Sequence, residues 1–295
     1  MRLDLDLGQL RALRATVDAG TLEGAARELS VTPSAVSQRL KALEHATGRV
    51  LLVRSKPVTV TDPGRAVLRL ARELELLTAD TARQLADTSS PPVLPVAVNA
   101  DSLATWFLPA LAPLHGQVLF DLHRADQDHT AALLRDGTVV AAVTGSATPV
   151  PGCTATPLGA LRYRPAAVNS FVQRWFPDGL TAEALATAPV VHFDRADGLQ
   201  RAWLRRRTRS TVDPPAHHVP SIGGFIQALL AGMGWGMLSD LQLDDPTLSA
   251  AVVRLHERDT VDVPLYWQQW KVRSPSLDLL SDTMLTGGRH ALKQR

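Results

Sequence analysis

The 295-residue sequence predicts an α/β protein in three parts: a helical head with a small hairpin, one long helix, and a larger domain of two α/β subdomains. Three observations predict it. Residues 7–47 hold three amphipathic helical segments separated by capping signals. Residues 61–87 hold one long helical pattern with an apolar repeat. From Val93 onward, short β-rich runs alternate with helical ones.

The first helix runs from Leu7 to Ala19, with Leu10, Leu13 and Val17 on one side and Gly20 as its stop. Thr21 stands at an N-cap, and Leu22, Ala25, Ala26 and Leu29 share the face of a second helix. The pattern breaks at Ser30-Val31. It restarts with Thr32 as a cap and Pro33 at the first helical position, where its missing N–H is no loss. In this third helix Val36, Leu40 and Leu43 form the apolar stripe, while Ser34, Ser37, Gln38 and Lys41 form an opposite face without an acid. Two short helices joined by a tight turn, the second presenting hydroxyls, an amide and a cation, suit the DNA major groove. Glutamine pairs with adenine, serine meets bases or phosphates, and lysine or arginine holds phosphate or guanine. The residues in place to do so are Thr32, Pro33, Ser34, Ser37, Gln38, Arg39 and Lys41. An ordinary solvated hairpin has the same periodicity, so charge is the discriminator. Between Val31 and Val60 the cations are Arg39, Lys41, Arg49, Arg54 and Lys56 and the acid is Glu44, a net +4 against +2 for the whole chain.

After Gly48 the period changes to two. Val50 to Arg54 and Val58 to Val60 flank Ser55-Lys56-Pro57, a hairpin or wing that places Arg54 and Lys56 near its tip for phosphate or minor-groove contact. The head, residues 1–60, is therefore a winged helix-turn-helix. Thr61 caps the long helix, in which Val67, Leu70, Leu74 and Leu77 repeat and Leu85 extends the seam. Some 25 residues of helix span roughly 38 Å, at about 1.5 Å per residue. A second copy is the natural cover for such a seam, giving a dimer and a two-fold symmetric DNA site. The other possible cover is the C-terminal domain of the same chain. Thr88 to Pro92 is the hinge, so residues 61–92 form the linker and 93–295 the larger domain.

Bulk properties narrow the classes. One cysteine, Cys153, makes no internal disulfide, which fits a reducing cytoplasm. No basic-then-apolar leader and no bilayer-length apolar run is present. The 18 Lys+Arg and 18 Asp+Glu after residue 90 balance, so the larger domain has no bulk attraction to nucleic acid and its partner is a small molecule or protein. His217-His218 lacks zinc-ligand spacing, and Cys153 has no companion base. GxSxG, HExxH and GxxxxGK[ST] are missing, so no enzyme, metal or cofactor is indicated. The run Arg201, Arg205, Arg206, Arg207 and Arg209 reads as the solvated C-terminal end of a helix.

In the larger domain strands are expected at 93–98, 118–123, 139–143, 154–168, 190–193, around 219, at 236–238 and 265–272. Helices are expected at 102–114, 129–135, 170–176, 181–187, 199–207, 224–231 and 277–292. Such alternation implies parallel-type sheets with helices on both faces. Ligands bind such sheets beyond the carboxyl ends of strands, where helix N-termini meet anions. The first such place is Asn99 to Trp106, where Ser102 and Thr105 can donate to a carboxylate and Trp106 can wall the site.

The segments AGTLEGAARELSVTPSAVSQRLKALEHATGRVLLVR and VTVTDPGRAVL resemble the N-terminus of LysR-type transcriptional regulators. VNADSLATWFLPAL, HFDRADGLQ, GWGMLSD and PLYWQQW resemble the ArgP/LysG branch, which responds to lysine and arginine. The resemblance runs over nearly the full chain. It implies a periplasmic-binding-protein-like effector domain, divided here as 93–163 plus 265–295 and 164–264, in a homodimer or homotetramer. It also implies a basic amino acid as effector and control of that amino acid's export or metabolism. The ligand's cations then need acids, and the candidates on loops are Asp126, Asp128, Asp194 and Asp197, with Thr144 and Phe225 completing the walls. Two other readings fit the same residues: an architectural DNA binder with a vestigial cleft, and an amino-acid-processing enzyme with an appended DNA domain.

Overall fold

The computed structural model describes residues 4–53, 55–85, 91–125, 127–209 and 211–294, the side chains of Gln127 and Asp128 excepted. The expected Arg54 and Asp126, and most of the hinge, lie outside these residues.

The head forms as its caps dictate. Helices α1 (Leu7–Ala19), α2 (Leu22–Glu28) and α3 (Pro33–Thr47) start at Asp6, Thr21 and Thr32, whose side chains accept from the backbone N–H groups of Gln9, Gly24 and Ala35. Gly20 and Gly48 end α1 and α3 in the left-handed region, at φ 66° and 64°. Leu10, Leu13, Ala25, Val36, Leu40 and Leu43 are buried together with Leu51, Leu68 and Ala71. The wing strands β1 (Leu52–Val53) and β2 (Thr59–Val60) pair antiparallel. They are shorter than the aliphatic run suggested, because Val50 stays 66% exposed outside the pairing.

The long helix α4 (Asp62–Leu85) enters against the wing. Thr61 caps it by accepting from Gly64 N (3.1 Å) while donating to the Val50 carbonyl (2.7 Å). Its buried side changes partner along its length. Leu68 and Ala71 fill the head, Leu76 enters the core of the larger domain, and Asp80, 4% exposed, accepts from Ser274 Oγ (2.5 Å) and Ser276 Oγ (2.8 Å). Arg69 donates to the carbonyls of Pro151 and Gly152, both at 2.8 Å, pairs with Glu73, and lies 5.3 Å from the centre of the Trp270 ring. Arg14 pairs with Glu75, and Arg72 with Asp18. Of the expected seam, Val67 and Leu74 lean on the head, whereas Leu70 and Leu85 remain 37% and 83% exposed. The contact with the C-terminal domain thus uses a different stripe of α4 and leaves part of the seam open.

The larger domain is mixed rather than parallel throughout. Strands β3 (Val93–Val98), β4 (Leu119–Arg124) and β5 (Ala141–Thr144) are parallel. Strand β6 (Cys153–Val168) runs antiparallel to the final strand, β11 (Val261–Trp270), over its first part. Beyond that it pairs antiparallel with β9 (Gly236–Ser239) and β10 (Val252–Arg254). Strands β7 (Val190–His192) and β8 (Ala216–His218) form a parallel pair beside them. One long strand therefore threads both lobes, and Tyr163 is where it exchanges neighbours, facing Val261 on one side and Ser239 on the other. Val219 lies just past β8 rather than in a strand, and Asp240–Leu243, Pro246–Ala251 and β10 were not anticipated. These are short pieces with too few residues to show a period. The helix expected over 102–114 is one continuous run over 100–114 with a π-helical turn at Leu103–Phe107. The closing helix is Pro275–Ala291.

Gly64 is the tightest joint of head and linker, since a methyl group there would lie 2.0 Å from the Leu51 carbonyl oxygen. Gly64→Ala is expected to destabilise the protein by about 1–3 kcal/mol. Gly223→Ala, whose methyl would meet nothing within 4 Å, should be near neutral in the same thermal-unfolding comparison.

Candidate DNA-reading face and effector cleft

On α3 the buried stripe of Val36, Leu40 and Leu43 fixes which face points outward. Ser34, Gln38 and Lys41 are exposed, and Ser37 and Arg39 half-buried. Thr32 is occupied by its cap and by a 2.9 Å hydrogen bond with Ser34 Oγ, which makes it a positioning group for the helix start, with Pro33 beside it. Glu44, the single acid of the basic island, turns its carboxylate inward to accept from Leu51 N at 2.9 Å. Among the described residues Arg39, Lys41, Arg49 and Lys56 form no ion pair. The outcome is an uncompensated positive surface spanning α3 and the wing, as phosphate neutralisation requires. The arginine run at 201–209 is engaged within its own lobe: Arg201 donates to the Arg195 and Asp197 carbonyls, Arg206 to that of Thr260, and Arg207 pairs with Asp259.

The cleft is built where β3 turns into the 100–114 helix. Three residues there carry polar side chains: Asn99, Asp101 and Ser102. Asn99 Oδ1 and Ser102 Oγ are buried without a hydrogen-bond partner among the described residues, and Ser102 is fully buried. Asp101 accepts from Tyr163 Oη at 2.7 Å, tying the turn to the strand residue where the lobes meet. Burial raises the Asp101 carboxyl above its usual range; the Tyr163 hydrogen bond opposes this and the charge of Asp197 adds to it. Burial, and then the charge of Asp101, push the Tyr163 hydroxyl well above the usual phenol range, so it stays a donor. Asp197 comes from the other lobe, on the loop after β7. Its two oxygens accept from Phe193 N (3.0 Å) and Leu199 N (3.1 Å), which fixes its orientation. Next to it His192 is buried and stacked on His218, with ring centres 5.5 Å apart, and burial lowers its pKa.

The other expected effector residues are scattered. Thr105 donates to the Asp101 carbonyl at 2.7 Å and, with Trp106, lines a groove of about 1120 Å³ between the 100–114 helix, the closing helix and the helices of the second lobe. Thr144 is held in a turn: it donates to the Ser146 carbonyl and accepts from Gln268. Asp194 accepts from Ala196 N and Asp197 N, shaping the loop that presents Asp197. Phe225 is 5% exposed and packs in the second lobe's own core with Val191, Leu229 and Leu238. Asp128 sits in the first turn of the helix Gln127–Asp136. A smaller cavity of about 450 Å³ opens nearby, lined by His123, Arg124, Ala125, His129, Leu133 and Phe193. Sequence reasoning passed over Asp101 and Tyr163. The cue for Asp101 was its place beside Ser102 at a strand-to-helix turn; Tyr163 had none, because its partner is 62 residues away.

Comparison with known proteins assigns both halves of the chain. Residues 7–65 match the bacterial regulatory helix-turn-helix protein, lysR family, and residues 92–289 match the LysR substrate binding domain. The chain is 45% identical over 282 residues to the HTH-type transcriptional regulator LysG of Mycobacterium tuberculosis, covering 95% of this chain and 92% of that one. The crystal structure of ArgP from Mycobacterium tuberculosis superposes with a TM-score of 0.90 at 43% identity, covering 99% and 100% of the two chains. Full-length LysG from Corynebacterium glutamicum, solved with bound effector Arg, gives 0.80 at 37% identity, covering 98% and 100%. With a cationic reading helix at one end and a two-lobed cleft at the other, this chain belongs to the LysR family of DNA-binding transcriptional regulators and is not an enzyme.

Proposed function

We propose that the protein is a cytoplasmic regulator that senses a basic amino acid, lysine or arginine, and controls that amino acid's export or metabolism. The observation that carries this reading is the turn Asn99–Ser102, where buried polar atoms without partners sit beside a carboxylate at a lobe boundary. Unsatisfied buried polar groups are costly unless a ligand completes them. The arginine bound by the Corynebacterium relative supports the ligand class. No helix among the described residues is long and apolar enough to cross a membrane.

In this reading the chain divides into a DNA-binding head (1–60), a linker helix and hinge (61–92) and an effector domain (93–295) of lobes 93–163 plus 265–295 and 164–264. Ser34, Ser37, Gln38, Arg39 and Lys41 meet the operator, with Arg54 and Lys56 on the flanking backbone. The open part of the α4 seam at Leu70 and Leu85 is covered by a second copy in a homodimer, or in a homotetramer built from two. Effector binding alters the relation of the lobes. Because α4 is bonded to Pro151, Gly152, Ser274 and Ser276, such a change reaches the heads through the linker.

The direct measurement is fluorescence anisotropy of the protein on its own upstream DNA, with and without lysine and arginine. Binding that either amino acid alters is the expected result; tight binding indifferent to both would leave an effector-independent DNA binder. Gln38→Ala should cost about 1–3 kcal/mol on the operator and little on random DNA. Equal losses on both would remove Gln38 from base readout. Lys56→Ala should weaken both and reduce the slope of log affinity against log salt by about 1.

A further inference from the structure

We propose that Glu44 is the residue that positions the wing against the reading helix, so that Gln38 on α3 and Lys56 on the wing meet one DNA site in a fixed relation. The inference rests on the reading of α3 and the wing as DNA contacts and goes beyond it by assigning a role to the acid between them.

Glu44 lies in the last turn of α3, within the stretch whose cations are Arg39, Lys41, Arg49, Arg54 and Lys56. Two general effects disfavour a carboxylate there. It sits at the negative end of the helix dipole, and it repels the phosphates that the neighbouring cations attract. Among the described residues it forms no ion pair, although Lys41 stands one turn before it. Its Oε1 instead accepts from Leu51 N at 2.9 Å, at the residue just before the first wing strand. A carboxylate makes that bond stronger than a neutral acceptor would.

The wing cannot set its own direction. Its strands pair over two residues each, Leu52 with Val60 and Val53 with Thr59, and so short a hairpin is not stable alone. Its direction comes from its ends. On the side of the second strand, Val58 N donates to the Gly20 carbonyl at 2.9 Å, which ties it to the end of α1. Ahead of the first strand, the Leu51 carbonyl accepts from Thr61 N at 3.0 Å and the Val50 carbonyl from Thr61 Oγ1 at 2.7 Å, which fastens it to the start of α4. The Leu51 side chain is buried in the core of the head. Leu51 thus joins α3, the wing and α4 at one residue, and of these ties Glu44 is the one made by a side chain of the reading helix.

The test is a double-mutant cycle between Glu44 and Lys56, read by anisotropy of the full-length protein over a range of salt. The probes are the duplex that the wild type selects from a random-sequence pool and an unselected duplex of equal length. Glu44→Ala should lower the ratio of selected to unselected affinity by about tenfold. In that background Lys56→Ala should change the slope of log affinity against log salt by less than about 0.3, against about 1 in the wild type. Glu44→Gln, whose amide oxygen can accept the same N–H, should keep the ratio within about threefold, restore the Lys56 dependence and strengthen unselected binding. Melting temperatures check that each variant is folded. Glu44→Met, which keeps the side-chain length and loses the acceptor, carries the test should Glu44→Ala fail that check. A full Lys56 effect in the Glu44→Ala protein, or equal behaviour of the Ala and Gln variants, would show that Glu44 acts through its charge alone and leave the wing contact standing. Lys56→Ala without effect in the wild type overturns the wing contact and this assignment with it.

Discussion

Within three turns of α4 the protein changes from one folded body to another. Leu68 and Ala71 belong to the core of the head, and Leu76 to that of the larger domain. A helix that merely linked two domains would turn polar between them. Here Arg69 and Asp80, on either side of that change, both hydrogen-bond to the larger domain. The Arg69 fork takes two successive carbonyls, and Asp80 joins Ser274 and Ser276 at the N-terminus of the closing helix, a favourable place for a negative charge. Removing one partner of the buried Asp80–Ser274–Ser276 set would leave the others unsatisfied.

The second constraint is the continuity of β6. A two-lobed domain with separate sheets could open about any of its loops. Here one strand of 16 residues is shared, and its pairing passes from β11 to β9 within it. Tyr163 stands at that point and bonds Asp101 in the cleft. The other long strand, β11, leads directly to the closing helix that receives Asp80. Cleft and linker are joined by backbone and short hydrogen bonds throughout.

The head was legible residue by residue, because its information is local. Caps at Thr21 and Thr32, stops at Gly20 and Gly48, and the stripe of Val36, Leu40 and Leu43 are all set within a turn or two of sequence. The cleft was legible only in outline. Asn99 and Ser102 were singled out because a strand-to-helix turn with short polar side chains is itself a signal, and both carry a buried polar atom without a partner among the described residues. Phe225 was expected as a wall and proves to be core, since the same apolar ring at a helix start serves either purpose and the packing of Val191 and Leu238 decides. Thr144 was expected to face the ligand, and its hydroxyl is taken by Gln268, which is 124 residues away.

What the sequence determined by itself is the order of the head's elements, the outward face of α3, its positive charge and the family. Each depends on periodicity or on residues near one another in the chain. Tertiary structure alone decided that the larger sheet is mixed, that α4 meets the larger domain with a stripe other than its heptad seam, and that Tyr163 donates to Asp101. These outcomes rest on pairings between distant segments. A strand's sequence states that it will be buried and does not state which neighbour, in which direction, will bury it.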